Sequence, residues 1–156
     1  MTYMILIIIL FLFIDQLIKL LVVSNMYVRQ SITIISDFFK ITYVTNDGAA
    51  FNLFSGNIIF LIIIAILVVF YIIKNIKTLE KKEKYIYSIL IAGILGNLID
   101  RIFRGFVIDY IDFRIFGYDM AIFNFADICI VCSCILLVLM EVFKWKKSLS
   151  KKEMKD

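Results

Sequence analysis

The sequence predicts an all-α membrane protein, four transmembrane helices with a small β-rich segment on the extracytoplasmic side. Hydrophobic residues make up 63% of the chain and mean hydropathy is +0.98, which leaves too little polar surface to cover a water-soluble globule. Four apolar segments, at about residues 4–23, 53–73, 85–103 and 125–143, each have the length needed to cross roughly 30 Å of hydrocarbon. A stretch at about residues 28–52 is rich instead in β-branched and aromatic side chains. These spans use up the length, so 1–156 reads as a single integral membrane domain with no room for a separate soluble one.

The first segment lacks a basic start, and DQLIK follows its apolar run where a cleavable secretory signal carries small residues, so it is expected to stay as a helix. Within it, Asp15 and Lys19 are four apart, share a helix face and can neutralise one another. The connection SITIISDFFKITYVTNDGAAFNLF has turn candidates at Ser36, Asp37, Asp47 and Gly48 and reads as a small sheet. Its Phe38, Phe39, Tyr43, Phe51 and Phe54 suit a platform at the membrane interface. These residues alone leave open whether the platform binds an extended peptide along a strand edge or only caps the helices.

The second segment is the most uniform, with no charged or amide side chain in residues 58–73. The other three carry polar groups that lipid does not accept, so they are expected to line a shared interior. Gly93 and Gly96 in the third let helix backbones approach closely. The chain has no proline, so nothing demands a helix break. Cys129, Cys132 and Cys134 fall inside the fourth segment, where free thiols behave as small hydrophobes. With no histidine and Cys134 on another helix face, no metal site or disulfide framework is expected.

Orientation follows from lysine. Lys74, Lys77, Lys81, Lys82 and Lys84 follow the second segment, and Lys144, Lys146, Lys147, Lys151, Lys152 and Lys155 follow the fourth, so both stretches are expected in the cytoplasm. Four crossings then put both termini inside and leave residues 24–52 and 104–124 outside. The lysine runs read as solvated flanks touching anionic lipid, with no nucleic-acid role.

Carboxylates at the edge of hydrocarbon are costly, so Asp109 in VIDYID and Asp127 in FNFAD read as a chemical pair. In GNLIDR, the spacing of Asn97, Asp100 and Arg101 gathers an amide, a carboxylate and a guanidinium near the outer end of the third helix. Asn124 and Asp127, three apart at the start of the fourth, face one side, which is expected to meet Asp109. Without histidine there is no imidazole base, and no serine lies in the dense polar motifs to be activated by Lys19 or Lys40. Two carboxylates in low dielectric remain, one keeping a proton while the other activates water. The alternative from the same inventory is a small ion or proton transporter relaying through Asp15, Lys19, Asp100, Arg101 and Asp127, and a further one is an anchoring protein in which these groups only specify packing.

DQLIK, NDGAAF, GNLIDR, VIDYID and FNFAD, in this order across four apolar segments, resemble the lipoprotein signal peptidases, the type II signal peptidases. The resemblance spans nearly the whole chain. It implies four helices with an outer β-cradle in the bacterial cytoplasmic membrane, with the active site near the outer face. The implied activity is that of an intramembrane aspartic endopeptidase, cutting prolipoproteins just before a cysteine that carries diacylglycerol. The implied partners are thus a lipid-modified prolipoprotein and membrane lipid, with no cofactor. Carried over by position, the catalytic residues are Asp109 and Asp127, the substrate-contact and supporting residues are Asn46, Gly48, Asn97, Arg101 and Asn124, and Asp15 and Lys19 match the polar start of the pattern. Members often have proline where Ala121 stands and serine where Ile128 stands, departures that bear on loop shape and helix entry. An outer loop, residues 31–52 or 104–121, is a candidate to close over the site.

Overall fold

The computed structural model describes residues 2–49 and 53–153. In chain order it has helix α1 (Thr2–Asn25), strands β1 (Ser31–Ile35) and β2 (Phe39–Asn46), helices α2 (Ile58–Asn75) and α3 (Lys81–Arg104), strands β3 (Val107–Ile115) and β4 (Tyr118–Asp119), and helix α4 (Phe125–Glu153). All four helices are long and apolar enough to cross a membrane. The strands form one antiparallel sheet in the order β1-β2-β3-β4.

Helix α3 is the axis, packing against each of the other helices. Half of its most apolar stretch is buried, against 6% for α2, which is peripheral and faces outwards along most of its length. Large apolar side chains on the outer faces, such as Phe13, Ile59, Phe70 and Val138, are exposed. In water such a surface aggregates, whereas in lipid it is the ordinary solvent contact, and helix association then rests on close packing and polar bonds. Gly93 and Gly96 provide the close packing. A Cβ added at Gly93 would lie 2.6 Å from the Ala126 carbonyl oxygen on α4, and one at Gly96 would lie 2.5 Å from the Asp15 carboxylate on α1.

Several boundaries differ from the sequence expectation for local chemical reasons. Helix α2 starts at Ile58 rather than near residue 53. The Asp47 carboxylate accepts bonds from the Ser55 hydroxyl (2.7 Å) and the Gly56 N–H (3.2 Å), and Phe54 and Gly56 have φ of 60° and 79°, which an α-helix cannot contain. Helix α3 starts at Lys81, where the Glu83 carboxylate accepts the Glu80 N–H at 2.7 Å. Helix α4 runs well past residue 143, and Lys144 on it pairs with Glu83 (2.6 Å) and Glu80 (3.1 Å) to tie its far end to the start of α3.

The stretch 104–124, read from the sequence only as an outer connection, supplies β3, an inner strand of the sheet. VIDYIDFRI alternates across the sheet: Ile108 and Tyr110 pack with Val22, Met26 and Tyr43, while Val107, Asp109 and Phe113 line a cavity. Tyr43 therefore belongs to the core that joins α1 to the sheet, not to the exposed aromatic platform expected for it. Phe39 stacks on Phe113 with ring centroids 4.8 Å apart, Phe38 packs tilted against the same ring at 5.3 Å, and Phe54 packs on Phe60 at 5.4 Å. Phe51, assigned to the same platform, lies outside the described residues.

Gly96→Ala is expected to lose about 1–3 kcal/mol through overpacking against Asp15, read as a lower midpoint of thermal unfolding in detergent. An unchanged midpoint would mean the α1–α3 contact is slack.

Candidate active site

The site begins at the first turn of α4. Asn124 Oδ1 accepts the Asp127 N–H at 3.0 Å and Asp127 Oδ2 accepts the Asn124 N–H at 3.1 Å, a reciprocal cap that fixes both side chains. The Asn124 amide nitrogen then donates to Asp109 Oδ1 on β3 at 2.6 Å. One asparagine therefore holds both aspartates, Asp109 through its side chain and Asp127 through its backbone. Asn97 on α3 donates to the remaining oxygen, Asp127 Oδ1, at 2.8 Å, and Asn46 on β2 donates to Asp109 Oδ2 at 3.0 Å. All four carboxylate oxygens have a donor.

Asn46 is held in turn, because its Oδ1 accepts the Gly48 N–H at 2.9 Å. The Gly48 carbonyl accepts Arg101 Nη2 at 2.8 Å, while Arg101 Nε is buried without an acceptor among the described residues. Asn46, Asn97, Arg101, Asp109 and Asp127 form the polar end of a cavity of about 800 Å³. Its remaining wall is apolar, including Leu61, Ile64 and Val68 of α2 and Val131 of α4. Asp109 is 2% exposed, whereas Asp127 is half-buried. Burial, followed by the charge of Asp127, pushes the Asp109 carboxyl up to about 6, and the bonds from Asn46 and Asn124 oppose that rise. Such a pair can divide acid and base roles near neutral pH.

Asp15, Lys19 and Asp100 lie behind this array. Lys19 Nζ is fully buried and meets Asp15 Oδ2 at 2.9 Å, Asp100 Oδ2 at 2.9 Å and Asn97 Oδ1 at 3.0 Å. All three of its donor positions are committed, so it is no free base for a serine. Asp15 Oδ1 accepts the Ala126 N–H at 3.0 Å, and Asp100 Oδ2 accepts the Ile108 N–H at 3.2 Å. Asp100 also pairs with Arg104. The cluster thus anchors the two backbone segments that carry Asp127 and Asp109.

Asp100 and Arg101, grouped together from the sequence, diverge: Asp100 faces Lys19 and Arg101 faces the cavity. Successive helical residues are about 100° apart, which separates them. Beyond the residues expected from the sequence, Gln16 and Arg104 join the cluster around Lys19. Gln16 donates to Gly96 O at 3.2 Å and to Asp100 Oδ1 at 3.3 Å, and only the tertiary contact reveals it. Arg104 was legible as the basic residue one turn beyond Asp100. Asp15 and Lys19 lie in the C-terminal half of α1, and Asn97, Asp100 and Arg101 in the C-terminal half of α3, so these groups share the half of the bundle nearer the sheet. Cys129 is buried, while Cys132 and Cys134 are exposed on α4.

Lys19→Met is expected to destabilise the fold by about 3–5 kcal/mol, because it leaves two buried carboxylates without their shared cation. Thermal unfolding in detergent measures this, and an unchanged midpoint would show that the ammonium is dispensable.

The model of the family described as Signal peptidase (SPase) II matches residues 7–143. A lipoprotein signal peptidase of Fusobacterium nucleatum subsp. nucleatum is 41% identical over 147 residues, covering 92% of this chain and 87% of that protein. One of Halothermothrix orenii is 42% identical over 141 residues, covering 89% and 93%. A solved structure described as a bacterial membrane enzyme superposes with a TM-score of 0.89 at 33% identity, covering 94% of this chain and 92% of that one. A second with the same description gives 0.79 at 34% identity, covering 90% and 92%. The helices are accordingly those of a multi-pass membrane protein. Since the matched residues run from within α1 into α4 and take in every asparagine and aspartate of the polar array, the chain belongs to the signal peptidase II family.

Proposed function

We propose that Asp109 and Asp127 are the catalytic dyad of an intramembrane aspartic endopeptidase that removes the signal peptide from prolipoproteins, cutting before a cysteine that carries diacylglycerol. Membership of the signal peptidase II family makes the chain a protease of lipoprotein precursors. The observation that carries the residue assignment is Asn124, bonded to both carboxylates at the polar end of an otherwise apolar cavity.

The ionised member takes a proton from a water molecule whose oxygen attacks the scissile carbonyl carbon, while the protonated member gives its proton to the carbonyl oxygen. Collapse of the tetrahedral intermediate returns a proton to the leaving nitrogen, so acid and base come from one pair. The shared proton belongs to the pair rather than to a named residue. Asn97, Asn124 and Asn46 hold the carboxylates in register, which lowers the cost of misalignment. Arg101 Nε, buried and lacking an acceptor among the described residues, suits a substrate carbonyl, and Gly48 supplies the backbone that orients Arg101. Asp15, Lys19 and Asp100 support the dyad through Ala126, Asn97 and Ile108.

The apolar wall between α2 and α4 supports lateral entry of a signal helix, with the acyl chains of the modified cysteine left in lipid. Leaving those chains in lipid avoids exposing methylenes to water at a cost of about 0.8 kcal/mol each. We take 1–156 as one peptidase domain in the bacterial cytoplasmic membrane, both termini cytoplasmic and the dyad near the outer face. The lysines beyond α2 and in α4 lie at the ends of those helices away from the dyad, which supports that orientation.

In detergent with a diacylglyceryl-modified precursor, Asp109→Asn and Asp127→Asn are each expected to lower kcat at least about a hundredfold while substrate still binds. Retained turnover in either variant removes that residue from the chemistry, and equal cleavage of an unmodified precursor ends lipid-dependent selection. The pH profile gives a second check. With Asp109 raised to about 6, kcat/KM is expected to decline as rising pH strips the shared proton. Asn46→Ala removes a bond that favours the ionised form, so it raises the carboxyl further and moves the alkaline limb to higher pH. A limb that stays put or moves down contradicts the assignment.

A further inference from the structure

We propose that the tip of the β3–β4 hairpin is a lipid-binding element, with Phe116 and Tyr118 seated in the outer interface of the bilayer at the rim of the cavity. The inference rests on the four helices spanning a membrane, and it is independent of which residues perform the chemistry.

Ile115 pairs with Tyr118, leaving Phe116 and Gly117 as a two-residue turn with φ of 51° and 83°. Turns of this kind favour asparagine, aspartate or glycine, because a left-handed backbone crowds a bulky side chain. The turn between β1 and β2 meets the same demand with Asp37, at φ 57°. Phe54, another phenylalanine with positive φ, packs on Phe60. Phe116 has neither advantage, because it is 97% exposed and has no aromatic partner among the described residues. Nothing inside the fold offsets a phenylalanine at that position, so an observed strain points to a use outside it.

The surroundings specify the partner. Tyr118 is 78% exposed beside Phe116, giving two rings with one phenolic hydroxyl, the chemistry that favours the boundary between headgroups and acyl chains. The hairpin's charges, Arg114 and Asp119, face each other at 3.5 Å, and Arg114 Nε also donates to the Gly117 carbonyl at 3.2 Å. The tip thus carries a self-paired charge rather than a net one, which reduces the cost of approaching lipid. Ile115, next to the turn, and Met120, just beyond β4, line the same cavity as the exposed Ile64 and Val68 of α2 and Val131 of α4. The tip is therefore continuous with surfaces that already face hydrocarbon, and lipid held there would keep the mouth of the cavity inside the bilayer.

The test uses the full chain in vesicles of phosphatidylglycerol and phosphatidylcholine. Trp145, the one tryptophan in the chain, is replaced by Trp145→Phe, and Phe116→Trp then makes position 116 the only indole. We expect blue-shifted emission that loses most of its intensity to lipids brominated high on the acyl chain and little to aqueous iodide. Efficient iodide quenching with no bromolipid effect would overturn the proposal. Protection from both quenchers that disappears as the protein is diluted in lipid would also overturn it, since the tip would then meet a second copy. If Phe116→Trp does not fold, Tyr118→Trp in the same background is judged by the same outcomes. Because the readout is fluorescence rather than turnover, failure of the peptidase assignment would leave it unaffected.

Discussion

The ammonium of Lys19, wholly withdrawn from solvent, is shared by Asp15 of the same helix and Asp100 of α3, and the rest of the site is built outward from that contact. Bringing ions out of water costs several kcal/mol each, so such a cluster persists only when every charge finds partners. Here the partners are also the scaffold. The second oxygen of Asp15 receives the Ala126 N–H at the head of α4, and Asp100 receives the Ile108 N–H at the head of β3. One electrostatic constraint therefore sets the height and rotation of the two segments that deliver Asp127 and Asp109. Gly96 makes it possible, since any side chain there would occupy the space of the Asp15 carboxylate.

From this base, amides carry the order to Asp109 and Asp127. Asn97 accepts from Lys19 and Asn124 through its oxygen, which turns its nitrogen toward Asp127. An amide with its oxygen so occupied cannot flip without losing two bonds, so the donor to Asp127 is held by a charge one layer deeper. The fold also carries a cost at Asp109. Burial beside a second carboxylate opposes its ionisation, and amide donors offset only part of that. Such local instability is tolerated because the charged cluster behind it is fully paired.

Lipid takes the role that a packed core plays elsewhere. Helices α1, α2 and α4 present apolar side chains outwards, and α2 contributes little buried surface beyond Leu61 and Ile72. Between helices there is little hydrophobic driving force in hydrocarbon, so small residues and polar bonds hold the bundle. The peripheral α2 leaves an apolar cavity beside α3 and α4. The sheet closes the polar end, its inner face packed on α1 through Val22, Met26 and Tyr43.

Much of this was legible because ionisable groups stand out in an apolar chain: each of the five polar strings marks a place where lipid exposure is too costly. Helical spacing gave the Asp15–Lys19 pair and the shared face of Asn124 and Asp127, since partners one turn apart need no knowledge of the fold. The number of helices followed from length and hydropathy alone. What followed neither spacing nor composition was the role of residues 107–115 as an inner strand and the burial of Tyr43. The sequence by itself determined which residues had to be removed from lipid and which neighbours could pair within one helix turn. The meeting of Asp109, Asn124, Asn97 and Asn46 was decided only by tertiary structure, because it depends on the register of β3 against β2, where Asp109 lies opposite Val44 and Val107 opposite Asn46, and on the depth at which α3 meets α1 and α4. Those are relations between distant segments, and no local propensity encodes a distance between them.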